Sequence, residues 1–294
     1  MIKRARLSFI ILAMLLLVVG FTDEANATGY RVSFNNSEIS ITSPQISPVR
    51  CDGILSVTGT TELDTVYFGL RGPNQELTSC KAEVIDGRFA IDIKLRYGNG
   101  VYTIWAGSNP QKFDGSIRFL AENASIHDNQ DTAPSYYVDS SHPVVVKLAE
   151  SLAPPGISDM DKLCNIHNWV VTNMSYDCDY QASGRSNMEQ ASRILEKRDG
   201  VCSHYAILTA ALCRAVGLPA RIVNGPARPS LDTPYRTHAW NEVLINGQWV
   251  SVDTCWDSGY VKDNTFVSSP SSTFLAPPPA VFATTHTRSN ITQD

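Results

Sequence analysis

The chain has 294 residues, 43% of them hydrophobic, and a formal charge of −5 at neutral pH. That mild acidity, with no lysine or arginine cluster beyond the first few residues, argues against nucleic acid as a partner. None of the seven cysteines has a second cysteine two to four residues away, the spacing a structural zinc site needs, so no metal is expected.

Lys3, Arg4 and Arg6 precede the apolar run Leu7 to Gly20, and Ala25-Asn26-Ala27 supplies the small residues of a cleavage site. The run is too short to span a bilayer comfortably, so residues 1–27 read as a secretory signal peptide with a mature chain from about Thr28. The expectation is an exported protein, secreted or held in the cell envelope, without a membrane attachment once the signal is removed. In such a compartment six cysteines could pair if Cys202 stays free, and Cys51 and Cys80, the two in the N-terminal half, are the first pair to consider.

Residues 28–123 read as strands. Gly53 to Thr58, Thr65 to Leu70, Lys81 to Ile85, Arg88 to Leu95, Tyr102 to Ala106 and Ser116 to Leu120 are short, rich in β-branched and aromatic residues, and separated by turns such as Asp86-Gly87. This pattern predicts an antiparallel β-sandwich, immunoglobulin-like in outline. It carries no titratable constellation and is expected to act as a spacer. Residues 124–143, with HDNQDTAPS inside them, read as a linker.

From Val144 the periodicity turns helical. Val144 to Leu152 is one predicted helix. Ser158-x-x-Asp161 is a capping box ahead of Leu163, Ile166, His167, Val170 and Met174 on one face, with His167 expected to be a hydrogen-bonded core residue. That helix ends at Tyr176-Asp177. Tyr180 to Asn187 form a polar loop, and Ser186-x-x-Glu189 is expected to cap a short helix through Leu195.

Gly200-Val201-Cys202 then leads into apolar positions 205, 208, 212 and 216 and the stop signal Gly217-Leu218-Pro219. Cys202 therefore falls in the first turn of a helix, where unpaired amides and the positive end of the dipole favour thiolate over thiol. His204 lies two residues on and does not share its face. A strand, Ala220 to Asn224, leads to a stretch with three prolines, Gly225 to Tyr235, that could border a groove.

Residues 237–256, THAWNEVLINGQWVSVDTCW, alternate about Asn246-Gly247, the sequence signature of a tight hairpin. A two-residue turn would set His238 opposite Cys255 and Trp240 opposite Asp253, making His238 and Asp253 diagonal neighbours on one face. A cysteine at a helix start, a histidine on one strand and an aspartate on its partner supply a nucleophile, its base and the group that orients the base. Beyond Ser258 the chain is polar and proline-rich. Residues 261–294 are expected to be an irregular tail in which His286 is incidental.

GVCSHYAILTAALCRAVGLPARIVNG followed by THAWNEVLINGQWVSVDTCWDSG resembles the transglutaminase-like superfamily, and SDMDKLCNIHNWVVTNMSYD resembles the helix that precedes the cysteine in bacterial secreted members. The resemblance covers roughly Val138 to the chain's end. It implies an α+β, papain-like core over residues 144–260, with a helix-start cysteine packed on an antiparallel sheet, and Cys202, His238 and Asp253 as the catalytic triad. It makes Tyr176 a candidate oxyanion donor. It also implies cysteine-dependent acyl transfer or hydrolysis on a protein or peptide substrate, with cell-wall-associated substrates among the candidates, without a cofactor. Cys255 departs from the family, whose members often carry proline-threonine before the tryptophan. The alternative is a surface binding or scaffolding protein that keeps this fold without turnover.

Overall fold

A computed structural model of the protein describes residues 31–110, 112–182, 188–229 and 232–292. The signal-peptide segment and Ser186 lie outside the described residues.

The alternating segments of the N-terminal half form eight strands: β1 (Ile39–Ser43), β2 (Val49–Cys51), β3 (Ile54–Thr61), β4 (Thr65–Arg71), β5 (Leu77–Glu83), β6 (Arg88–Lys94), β7 (Gly100–Gly107) and β8 (Ile117–Asn123). One sheet has the order β1-β3-β6 and the other β2-β8-β7-β4-β5, antiparallel except for the β2–β8 pair. Period-two patterning decides the faces. In β8, Ile117, Phe119 and Ala121 are buried while the residues between them are half-exposed. Leu55 and Val57 from the smaller sheet and Phe68, Tyr102, Ile104 and Phe119 from the larger one share a single buried cluster.

The expected Cys51–Cys80 bridge is not present, and all seven cysteines are free. Sheet order gives the reason: β2 and β5 are opposite edges of the five-stranded sheet, and three intervening strands separate them by about 19 Å at the usual strand spacing. No disulfide reaches that far.

Residues 124–142 hold no helix or strand, yet they are tied to the second half by their carbonyls. Asp131 O accepts from Ala220 N (2.8 Å), Tyr137 O from Ala191 N (2.8 Å) and Ala133 O from the Arg214 guanidinium (3.2 Å). There follow α1 (Pro143–Leu152), α2 (Asp159–Asn173), β9 (Ser175–Tyr176), α3 (Cys178–Ala182), α4 (Ala191–Lys197), β10 (Asp199–Gly200) and α5 (Cys202–Ala215). Ser158 caps α2 in the expected box with Asp161. The cap of α4 is Gln190, so that helix starts later than its sequence signal.

Helix α5 is buried on every face from His204 to Arg214, where one apolar stripe was expected. Its run of alanines and leucines allows α1, α2 and α4 to close over it on one side and a sheet on the other. That sheet has the order β13-β12-β11-β16, from β11 (Ala220–Ala227), β12 (Arg236–Ile245), β13 (Gln248–Val252) and, after α6 (Thr254–Ser258), the hairpin β14 (Gly259–Lys262) with β15 (Thr265–Ser268) and α7 (Pro279–Phe282), the last strand β16 (Asn290–Thr292). Asn246 and Gly247 both have positive φ, 50° and 77°, as the tight hairpin turn requires.

Residues 261–292 are therefore not an irregular tail. Ser271 N donates to Asp257 O (2.8 Å), Thr287 N to Pro226 O (2.9 Å) and Ser289 N to Asn224 O (2.9 Å), and β16 completes the edge of the sheet beside β11. Edge-strand amides of β11 need partners, and this segment supplies them. Among the described residues no helix is long and apolar enough to cross a membrane.

With no bridge to reduce, thiol titration with Ellman's reagent in denaturant, without reductant, should count all seven cysteines. A count lower by two would place a disulfide where the fold has none.

Candidate active site

The position of Cys202 is fixed before its helix begins. β10 pairs in parallel with β9, Gly200 beside Tyr176, and the chain then turns into α5 through Val201 in an extended conformation. Val201 N donates to Nδ1 of His204 (3.1 Å), which satisfies one of the amides a helix start leaves unpaired. Gly200 makes room for that imidazole: a Cβ there would lie 2.5 Å from His204 Nδ1. His204 is thus committed to the helix start rather than to the sulfur two residues before it. Cys202 is half-buried at the first helical position.

His238 stands on β12 and Asp253 caps α6. Their Nε2 and Oδ2 atoms are 2.7 Å apart. The Cys202 sulfur lies close enough to the same imidazole to act on its charge, and Nε2 of that ring is turned to Asp253. The structure thus brings Cys202, His238 and Asp253 together, by a route that differs from the expected one. The β12–β13 register runs as predicted only as far as Asn241 opposite Val252. The chain then leaves the ladder for α6, so neither Trp240–Asp253 nor His238–Cys255 forms as a strand pair. Asp253 instead accepts from the amides of Cys255 (3.0 Å) and Trp256 (3.1 Å) through Oδ1, which aims Oδ2 back at His238. Trp256, just past the cap, stacks on the His238 ring with centroids 4.7 Å apart. Cys255 is buried in α6 with a free thiol.

Electrostatics follow from this geometry. Burial opposes a positive charge on His238, but the Asp253 carboxylate, its hydrogen bond and the Cys202 sulfur outweigh it and push the imidazole up to about 10. Burial likewise opposes a charge on Asp253, 1% exposed, and the two histidines at its Oδ2 hold it well below the usual carboxylate range. Burial, then Asp253 and Cys202, push the Cys255 thiol up. Tyr176 is raised by burial and then by the neighbouring Cys255, Cys202 and Cys178, so its hydroxyl keeps its proton close to the sulfur.

Two features escaped the sequence reading. His286 is not incidental: its Nε2 lies 3.1 Å from Asp253 Oδ2. Asp257, one helical turn after Asp253, forms a fully buried pair with His167, Nε2 to Oδ2 2.9 Å. That pair gives His167 the polar partner its core position needed. Spacing from Asp253 was the one available signal for Asp257; nothing in the proline-rich C-terminal stretch singled out His286. The ligand-capable atoms of His238, Asp253 and His286 lie within 4.8 Å of one another, and a metal ion there would have to replace both histidine–carboxylate bonds.

Residues 146–254, which contain all of this geometry except His286 and part of α6, match the family model described as the transglutaminase-like superfamily. This part of the chain belongs to that superfamily. Among curated proteins, the chain is 27% identical over 128 residues to the kyphoscoliosis peptidase of Mus musculus, a match covering 40% of this chain and 19% of that protein's length. It is 22% identical over 220 residues to an uncharacterized protein of Mycobacterium bovis, covering 71% of this chain and 65% of the relative. Among solved structures, red sea bream transglutaminase aligns with a TM-score of 0.33 at 11% identity, over 76% of this chain and 51% of that one. The periplasmic domain of TgpA from Pseudomonas aeruginosa aligns with a TM-score of 0.33 at 17% identity, over 73% and 77%.

The His238–Asp253 pair has a definite pH window. Raised in the folded state, His238 contributes stability that is complete below its usual 6.5 and is lost as pH climbs toward about 10. Lowered in the folded state, Asp253 contributes stability that is complete above 3.8 and is lost as pH falls below it. Urea unfolding of wild type and Asp253→Asn should therefore differ most between 3.8 and 6.5 and converge toward about 10. An equal gap at both ends would mean that the pair is not charged.

Proposed function

We propose that the protein is a cysteine-dependent acyl-transfer enzyme acting on protein or peptide amides, with Cys202 as nucleophile, His238 as acid–base and Asp253 as the group that orients His238. The observation that carries this reading is the His238–Asp253 pair, closed at 2.7 Å, with the helix-start Cys202 near enough to act on the same imidazole. An imidazolium held beside a sulfur at a helix start stabilises thiolate by charge and by dipole.

The thiolate attacks the substrate's carbonyl carbon, forming a C–S bond as the carbonyl electrons move to oxygen. The Cys202 backbone amide and the Tyr176 hydroxyl are the donors available to that oxyanion, and the raised Tyr176 keeps its proton for the purpose. As the C–N bond breaks, Nδ1 of His238 gives its proton to the departing amine and leaves a thioester on Cys202. Water or a second amine then surrenders a proton to Nδ1 and attacks the thioester, which returns the sulfur as thiolate. Water gives hydrolysis and a lysine amine gives a crosslink. Asp253 remains an anion throughout and holds the imidazole so that Nδ1 faces the sulfur.

On this reading the second half is a papain-like core and the first an immunoglobulin-like sandwich that carries it. The apolar run at the N-terminus favours export to the cell envelope or beyond, where wall-associated proteins or peptides would be the substrates.

The purified protein, incubated with casein and a fluorescent primary amine, should label or cleave casein. Cys202→Ala should reduce both signals by about a thousandfold or more, since the remaining groups have no nucleophile to activate. Signals equal in the two proteins would remove catalysis and leave a binding module with this fold.

A further inference from the structure

Asp253 receives a second histidine, and that histidine comes from a part of the chain outside the residues that match the family. An ionised carboxylate offers about four acceptor positions. Here all four are in use: Oδ1 by the amides of Cys255 and Trp256, and Oδ2 by the Nε2 atoms of His238 and His286. At 1% exposure an unfilled position has no bulk water to turn to, and an unsatisfied buried acceptor is costly.

The seat of His286 is built from several directions. Its ring lies against Phe282, centroids 3.9 Å apart and nearly parallel at 12°, with Trp256 at 4.5 Å and Trp240 at 5.0 Å closing other sides. Nδ1 sits 2.8 Å from the Thr285 hydroxyl, which leaves Nε2 aimed at the carboxylate. The backbone that carries the ring is pinned on both sides of it: Arg228 N donates to Thr285 O (2.9 Å) and Thr287 N to Pro226 O (2.9 Å). Gly225, directly opposite His238 in the sheet, makes that passage possible, because a Cβ there would lie 1.9 Å from Thr287 O. Upstream, Asp257 receives the amide of Phe274 (2.9 Å) and the hydroxyl of Ser271. Two carboxylates one turn apart on α6 therefore hold the same C-terminal segment, one by its backbone and one by an imidazole.

We propose that His286 is a positioning residue for the Cys202–His238–Asp253 relay: the C-terminal segment delivers a second N–H to Asp253 Oδ2 and fixes the carboxylate that orients His238. This rests on the function proposed above. Without that donor the carboxylate keeps its two amides and one histidine, gains freedom about its terminal torsion, and loses part of the attraction that stabilises its charge. His238 is then held less firmly toward the sulfur, and Cys202 becomes a weaker nucleophile.

The test reads the sulfur directly and needs no substrate. The rate of iodoacetamide alkylation of Cys202, followed at its own peptide by mass spectrometry near neutral pH, is compared in wild type, His238→Ala, His286→Leu and His286→Gln, with melting temperatures measured alongside. Leucine is compatible with the aromatic surroundings but carries no donor, whereas glutamine returns an N–H to about the place of Nε2. The expected order is a loss of about a hundredfold in H238A, about tenfold in H286L, and recovery in H286Q to within about threefold of wild type. Wild-type alkylation in H286L with H238A impaired would overturn the role of His286 while leaving the relay intact. H286Q as slow as H286L while folded would also overturn it, since packing and not the donor would then matter. Stoichiometric metal in the purified protein, lost on H286Q substitution, would reassign His286 as a ligand. Unchanged alkylation in H238A would sink the relay itself and this inference with it. Should H286L fail to fold, the glutamine variant alone still decides, because a slow H286Q counts against the proposal and a fast one for it.

Discussion

A buried carboxylate with every acceptor position occupied is the constraint on which the rest of the site depends. Asp253 is 1% exposed, and a charge so far from water persists only where donors replace its hydration. The helix start of α6 provides two of them, His238 and His286 the others. The four donors come from three pieces of backbone, so the carboxylate also joins the start of α6, strand β12 and the C-terminal segment. Its electrostatic effect on His238 and its structural effect on the sheet edge are one arrangement.

The sulfur is held by a separate device. Helix α5 passes through the middle of the second half, buried on all faces, and cannot slide or roll without opening cavities against α1, α2 and the sheet. Its first residue inherits that rigidity. Asn241 of β12 donates to the carbonyl of Ala206 (2.9 Å), which ties the strand carrying His238 to the helix carrying Cys202 one turn after that cysteine. Sulfur and imidazole thus stand on elements locked together one helical turn beyond Cys202.

What the sequence disclosed, and what it withheld, divides along local and non-local physics. The Asn246-Gly247 turn, the Ser158 cap and the helix start at Cys202 depend on neighbours within a few residues, and each was legible. The register predicted from the turn held through Asn241 and Val252. It failed at Asp253 because a capping aspartate competes with the ladder for its own backbone. His286 and the strand at Asn290–Thr292 were illegible for a different reason. Their partners lie 33 residues away for Asp253 and 66 to 70 for β11, and they sit in a segment whose prolines and hydroxyl residues carry neither helical nor alternating periodicity. Gly225 was read as part of a proline-containing stretch that could border a groove, although its missing side chain admits that segment. Cys51 and Cys80 misled in the opposite sense: both lie in strands of one sheet, and only the strand order reveals that they sit at its two edges.

The two histidine–carboxylate pairs on α6 separate structure from chemistry. His167–Asp257 closes at 2.9 Å and His238–Asp253 at 2.7 Å, so neither distance nor partner type distinguishes them. Surroundings do. His167 and Asp257 are sealed, both 0% exposed, and Asp257 spends its remaining acceptor capacity on the backbone and hydroxyl of 271–274, so the pair joins α2, α6 and the C-terminal segment. His238 retains 7% exposure, feels the Cys202 sulfur nearby, and stacks on a half-buried tryptophan. A buried imidazole–carboxylate bond by itself is a fastening. It becomes a relay only where the second ring nitrogen can serve a nucleophile, and of the two pairs only the one at His238 has a cysteine sulfur acting on its imidazole.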